Sequence, residues 1–155
     1  MPGLRVGYMV STGKHYQPLV EIKLLHDLHV STVTQAIASE YIASGHYRRH
    51  LTHLRAINHQ RHDRMLQAME RYFPTSVRWT VPQGGLFIWV QLPNHTPMQA
   101  VGQQASAQQV LVGRGKPFFP DGQGYPAFRL NFSQSLEDID RGIAILGDIL
   151  KRNLK

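Results

Sequence analysis

One arginine, set in a strict alternation, is well placed to recognise a small anion. In Phe128-Arg129-Leu130-Asn131-Phe132-Ser133 three apolar residues alternate with Arg129, Asn131 and Ser133, so a strand here sends large groups to one face and polar ones to the other. A guanidinium carried on a strand is a rigid fork. It takes a carboxylate through two parallel charge-assisted hydrogen bonds, a geometry that lysine cannot copy. On the strand alone, an exposed or ion-paired arginine is the plainer reading.

Three other groupings could do chemistry. The segment 46–73 carries His46, His50, His53, His59 and His62. The first three share a helical face, and an i, i+4 histidine pair can hold a transition metal. No carboxylate stands beside them at a ligand-like step and arginines flank the face, so we expect a solvated histidine face, leave pH sensing as the lesser option and assign no metal ligands. Gly113-Arg114-Gly115-Lys116 suggests a phosphate cradle, but its spacing fits neither the P-loop nor the dinucleotide pattern. Arg48, Arg49, Arg55, Arg61 and Arg64 point several ways around a helix, which suits a solvated surface better than a DNA-reading helix.

These residues need elements to hold them. Pro18 fits the first turn of a helix carrying Leu19, Val20, Ile22, Leu24 and Leu25. Ser31 is placed to cap a second helix and Gly45 to end it. From His46 to Phe73, Tyr47, Leu51, Leu54, Met65, Met69 and Tyr72 mark one stripe, broken midway by Asn58 and Arg61. A long helix with a face interrupted in this way suits a bridge between two bodies. Pro74 closes it. Val77, Trp79 and Val81 alternate as a half-buried strand, Pro82-Gln83-Gly84-Gly85 makes a turn, and Leu86 to Leu92 reads as a strand buried on both faces. A polar helix over 97–109 and a strand at Val110-Leu111-Val112 follow. Residues 117–127 form a Pro/Gly-punctuated loop. Ser135 and Asp138 open a final helix over 135–153, with Ile139, Ile143, Leu146, Ile149 and Leu150 as its stripe. The expected architecture is a helical N-terminal half joined to an α+β layer, in which three or four short strands pack on helices 97–109 and 135–153.

Length and composition set limits. At 155 residues the chain can bury one real core. Net charge is +7, from 17 basic and 10 acidic residues, which suits an anionic ligand or a basic surface as well as nucleic acid. The absence of cysteine rules out disulfides, thiolate metal sites and cysteine nucleophiles. The N-terminus lacks a signal-peptide layout and no apolar run approaches the ~20 residues that span a bilayer, so a cytoplasmic location is expected, with no membrane partner. Pro2-Gly3 followed directly by an apolar strand-like segment suggests a chain that starts within a larger fold.

The order of motifs resembles the C-terminal part of a class I/II aminotransferase-like domain, the pyridoxal-phosphate fold type I. The resemblance rests on Pro2-Gly3-Leu4-Arg5-Val6-Gly7-Tyr8, Gln35-Ala36 and Gly45-His46 through Arg55. It continues in Pro82-Gln83-Gly84-Gly85-Leu86-Phe87-Ile88-Trp89-Val90-Gln91-Leu92-Pro93 and in Phe118-Phe119-Pro120-Asp121-Gly122 leading to Phe128 through Ser133. The resemblance covers nearly all of this chain but only about the last two-fifths of the family's domain. It is greatest to two subgroups: aminoadipate-type aminotransferases, and the aminotransferase-like domain of MocR-type GntR-family transcription regulators.

The resemblance implies the C-terminal small domain of this fold, α+β with a small antiparallel-type sheet and flanking helices, preceded by long interdomain helices. Residues 1–12 would be the terminal strand of a large domain, 13–73 connecting helices, and 74–155 the small domain. Arg5 resembles the arginine that binds the cofactor phosphate. Arg129 resembles the one that grips the α-carboxylate of an amino-acid-like ligand. The Schiff-base lysine of the family would lie just upstream of Pro2, and Lys14 sits on the wrong side of the motif. The resemblance thus implies no catalytic residue in this chain and pyridoxal 5′-phosphate only in a fuller protein. It also implies DNA contact only through a separate N-terminal domain, and self-association through apolar surface of 1–12 and the long helix. Two departures stand out: Arg114-Gly115 in place of the family's Pro-Gly, and loss of a helix tyrosine near Asn58. The alternatives that remain are a regulator's sensing domain, the tail of a genuine aminotransferase, and a folded remnant.

Overall fold

The computed structural model describes residues 2–122 and 124–154. Met1, at the head of the expected 1–12 strand, Gln123, in the 117–127 loop, and Lys155 lie outside the described residues. The chain divides into two compact units, one ending at Leu54 and one beginning at Arg55. The boundary falls inside the long helix. The reason is packing: Met65, Ala68 and Met69 belong to the core of the second unit.

The first unit is helical. A 3-10 turn at Pro2–Leu4 and another at Gly13–His15 lead into α1 (Tyr16–Asp27), α2 (Thr32–Ala43) and the start of α3 (His46–Tyr72). Gly45, at φ 75°, ends α2 as its type predicts, with its N–H donating to the Ile42 carbonyl at 3.1 Å. Ser31 sits at the N-cap of α2, but its hydroxyl makes no capping bond. Gln35 instead donates to the Val30 carbonyl and Thr34 to the Ser31 carbonyl, both at 2.9 Å. Neither α1 nor α2 buries a residue. Residues 5–12 form no regular element where a strand was expected. A strand exists through its ladder, and every described strand belongs to the second unit.

The second unit has an antiparallel sheet in the order β1-β2-β4-β3, built from β1 (Arg78–Trp79), β2 (Phe87–Gln91), β3 (Gly113–Arg114) and β4 (Ala127–Asn131). The central pair aligns Phe87 with Asn131, Ile88 with Leu130, Trp89 with Arg129 and Val90 with Phe128. Ile88, Val90, Phe128 and Leu130 therefore share the face that enters the core. Against it lie α4 (Met98–Ala107), α5 (Leu136–Asn153) and the C-terminal part of α3. α5 starts as expected: the Ser135 hydroxyl accepts from the Asp138 N–H at 3.0 Å, and Ile139, Ile143, Leu146, Ile149 and Leu150 are buried. A Cβ on Gly147 would come within 2.6 Å of the Tyr72 carbonyl oxygen, so this glycine lets α5 approach the end of α3. Arg64 of α3 grips Asp140 of α5 through two hydrogen bonds of 2.7 and 2.5 Å.

Two strand expectations need correction. Val110-Leu111-Val112 is not a strand: the Val110 N–H closes on the Ala105 carbonyl at 2.9 Å as the chain leaves α4, and Leu111 is exposed. The pairing falls instead on Gly113 and Arg114, where the backbone can approach β4. A Cβ on Gly113 would meet the Arg129 carbonyl oxygen at 3.3 Å, and one on Gly115 would meet that of Ala127 at 2.6 Å. β2 is not buried on both faces either, since only Ile88 and Val90 are buried. Phe87 and Trp89 give its other face an apolar composition for a different reason, described below. Among the described residues no helix is long and apolar enough to cross a membrane.

Candidate carboxylate site

Arg129 sits at the centre of β4, opposite Trp89 of β2 and Gly113 of β3. The strand's pleat turns it away from Phe128 and Leu130, as the alternation predicts. Its guanidinium carbon lies 3.8 Å from the centroid of the Phe87 ring and 4.5 Å from that of Phe118. Two ring faces thus hold the cation by attraction to their π-electrons. Gly113 makes room for this arrangement, because a Cβ there would stand 3.8 Å from Arg129 Nε. Arg129 is half-buried, and among the described residues no hydrogen bond or ion pair engages its fork. Rings satisfy the faces of a guanidinium and leave its in-plane N–H donors for a carboxylate.

A second tier of aromatics supports the first. Trp89 packs edge-on against Phe118 at 5.9 Å and Phe119 at 5.8 Å, and its Nε1–H donates to Tyr125 Oη at 3.1 Å. Phe119 and Tyr125 meet at 5.1 Å. Phe118, Phe119 and Tyr125 are therefore held against Trp89 of β2. A cleft of about 510 Å³ lies alongside, lined by Arg114, Lys116, Phe119 and Tyr125 among others. It adds two cations to the neighbourhood without including Arg129. Glycines 113 and 115 serve close backbone approach to β4.

Sequence reasoning found Arg129 but missed its holders Phe87 and Phe118 and their support Trp89 and Tyr125. One signal was present: in a strand facing solvent on one side, Phe87 and Trp89 occupy positions where polar residues are usual. Arg5 lies in the other compact unit and is exposed, at the left-handed φ of 53°, which is uncommon for a residue with a side chain. The apolar groove of about 770 Å³ in this unit, which Val6, Tyr8 and Leu24 help to line, does not include it.

The long helix distributes its charges as expected only in part. Arg48, Arg49 and Arg55 are exposed, in line with a solvated face. Arg64 is not a free cation: its hydrogen bonds hold the Asp140 carboxyl below its ordinary range, and Asp140 in turn raises Arg64. His46 and His50 gather around Tyr41, with ring centroids 6.0 and 6.4 Å away.

Comparison with known proteins adds to this geometry. Residues 1–146 match the family described as aminotransferase class I and II. The 2-aminoadipate transaminase of Thermus thermophilus is 34% identical over 151 residues, which is 97% of this chain and 38% of that protein. The uncharacterized HTH-type transcriptional regulator YdfD of Bacillus subtilis is 30% identical over 151 residues, 97% of this chain and 31% of its own length. Among solved structures, the α-aminoadipate aminotransferase LysN of T. thermophilus, complexed with N-(5′-phosphopyridoxyl)-L-leucine, gives a TM-score of 0.84. Its identity is 34%, over 99% of this chain and 39% of that one. The chain spans less than two-fifths of the length of these curated relatives.

Proposed function

The chain belongs to the aminotransferase class I and II family, and from that premise we propose that it is the C-terminal segment of a domain that recognises an amino-acid carboxylate. In the reading we favour, this domain is the effector-sensing and dimerisation part of a MocR-type GntR-family regulator, working in the cytoplasm and reaching DNA through a separate N-terminal domain. The observation that carries the proposal is Arg129: a fork held by two rings, with no hydrogen-bonding partner among the described residues. Such a group costs desolvation and offers directed donors, which is the arrangement for bidentate capture of a carboxylate. Arg5 would take the phosphate of pyridoxal 5′-phosphate in the fuller protein. That cofactor, when bound, supplies an electron sink for carbanion chemistry. Residues of this chain would contribute binding and orientation and no catalytic group.

A second reading is a genuine aminotransferase acting on amino acids. Its support is the TM-score of 0.84 to an enzyme holding a phosphopyridoxyl amino acid. Both readings use Arg129 identically, so one probe serves both. N-(5′-phosphopyridoxyl)-L-leucine carries a phosphate and an α-carboxylate in one molecule and needs no lysine to bind. Titrated against the full-length protein, it is expected to bind about 10- to 100-fold more weakly to Arg129→Lys, the loss of roughly one charged hydrogen bond. Equal affinity in that variant and the parent overturns the carboxylate assignment. Amino-group transfer from an L-amino acid to a 2-oxo acid by the full-length protein selects the enzyme, and ligand-dependent DNA binding without transfer selects the regulator.

The exposed apolar groove of the first unit suits self-association, because surface of this kind is costly to leave in water. Sedimentation at ~100 μM, where a modest apolar interface populates dimers, is expected to show them. A strictly monomeric profile counts against this part of the proposal.

A further inference from the structure

In the second unit, one turn of α3 brings two imidazoles and a carboxylate together. His59 and Asp63 are four residues apart with His62 between them, so the three project from one side of the helix. Asp63 places Oδ1 2.8 Å from His62 Nδ1 and Oδ2 3.4 Å from His59 Nε2. One ligand atom from each residue lies within 4.8 Å of the others. Ligands on a tetrahedral ion at about 2.0–2.2 Å stand about 3.3 Å apart, so small rotations bring the three onto one centre. Asp63 is the carboxylate that inspection of the sequence overlooked, because attention fell on His46, His50 and His53.

The two histidines differ in exposure. His59 is 79% exposed and free to adjust. His62 is only 15% exposed and packs edge-on against Phe132 at 5.5 Å. Its Nε2 is buried without a hydrogen-bond partner, and so is Oδ1 of Asn58, one helical turn earlier. A neutral His62 that donates from Nδ1 to Asp63 leaves a bare lone pair at Nε2. That gives two buried acceptors on one stripe of the helix and no donor for either. A cation at Nδ1 moves the ring proton to Nε2, so that one of the two acceptors becomes a donor.

We infer that His59 Nε2, His62 Nδ1 and one oxygen of Asp63 form a site for a divalent transition-metal ion. Two imidazoles and a carboxylate suit Zn²⁺, Ni²⁺ or Cu²⁺ in preference to Mg²⁺ or Ca²⁺, and solvent completes the coordination. The arginines of α3 weigh less against a cation than their number suggests. Arg64 is engaged by both oxygens of Asp140, which leaves Asp63 to the imidazoles.

The test is calorimetric titration of the 155-residue chain with ZnCl₂ at pH 7.5 in a non-chelating buffer. His59→Ala, Asp63→Asn and a His46→Ala/His50→Ala control are measured alongside, and imidazole ¹⁵N shifts are followed by NMR. One equivalent of Zn²⁺ is expected, with His62 coordinated through Nδ1 and protonated at Nε2. Affinity should fall tenfold or more in His59→Ala and Asp63→Asn and persist in the control. His59 is exposed and Asp63→Asn is isosteric, so both variants test ligation without threatening the fold. Undiminished binding in both variants overturns the site, as does loss of binding in the control. A His62 Nε2 that already carries a proton before Zn²⁺ is added, and does not respond to it, overturns the site in favour of a protonated imidazole.

Discussion

The two units of this chain have similar raw material and opposite outcomes. α2 is rich in apolar residues, with Val33, Ala36, Ile37, Tyr41 and Ile42, yet it buries none of them. α5 is interspersed with Glu137, Asp138, Asp140, Arg141, Asp148, Lys151 and Arg152, yet buries Ile139, Ile143, Leu146, Ile149 and Leu150. The difference lies in arrangement. The apolar residues of α5 recur at steps of three and four on one stripe, and a sheet face of Ile88, Val90, Phe128 and Leu130 stands ready to receive it. Those of α2 spread around the helix and have no sheet in their unit. A module is self-contained when its stripes meet complementary faces, whatever its total apolar content.

That contrast can be broken most directly by matched truncations. Phe128→Ala removes a fully buried ring from the second unit and should cost about 3–5 kcal/mol. Leu25→Ala, at a position 90% exposed in the first unit, should stay within about 0.5 kcal/mol. Urea unfolding measures both, and comparable losses would mean that the first unit has a core of its own.

A subtler comparison lies within α5. Gly147→Ala drives a Cβ into the Tyr72 backbone and should cost about 1–3 kcal/mol. Gly142→Ala, in the same helix with nothing within 4 Å, should stabilise by up to about 1 kcal/mol through helix propensity. Thermal melts that move in opposite directions would confirm that close helix approach, not helix formation, holds glycine at 147.

The smallest effect concerns the ion pair that ties α3 to α5. Arg64 holds the folded-state carboxyl of Asp140 below its ordinary value by hydrogen bonding. The contribution is therefore present above the unfolded value of about 3.9 and fades as pH falls through the folded one. Asp140→Asn should be slightly less stable than the parent at pH 7, with the gap closing below about pH 4. Both side chains are substantially exposed, so the gap should be small. A gap that is unchanged by acid would remove the carboxylate from the account.

Much of this protein could be read from the chain because the features concerned are local. Alternation around Arg129, the Ser135 cap, Gly45 at a helix end and the stripe of α5 each depend on neighbours within a few positions, and each appears where its residue types require. The order of motifs likewise placed the chain in its family. Tertiary structure alone decided what depends on contacts between distant residues. The unit boundary falls inside α3 because Met65, Ala68 and Met69 met a core. β3 falls on Gly113 and Arg114, where Gly113 and Gly115 ease the approach of the backbone to β4. Phe87 and Phe118, 31 positions apart, became the two faces of one guanidinium's holder. Periodicity reports which way a side chain faces, and only the packed chain determines what it faces.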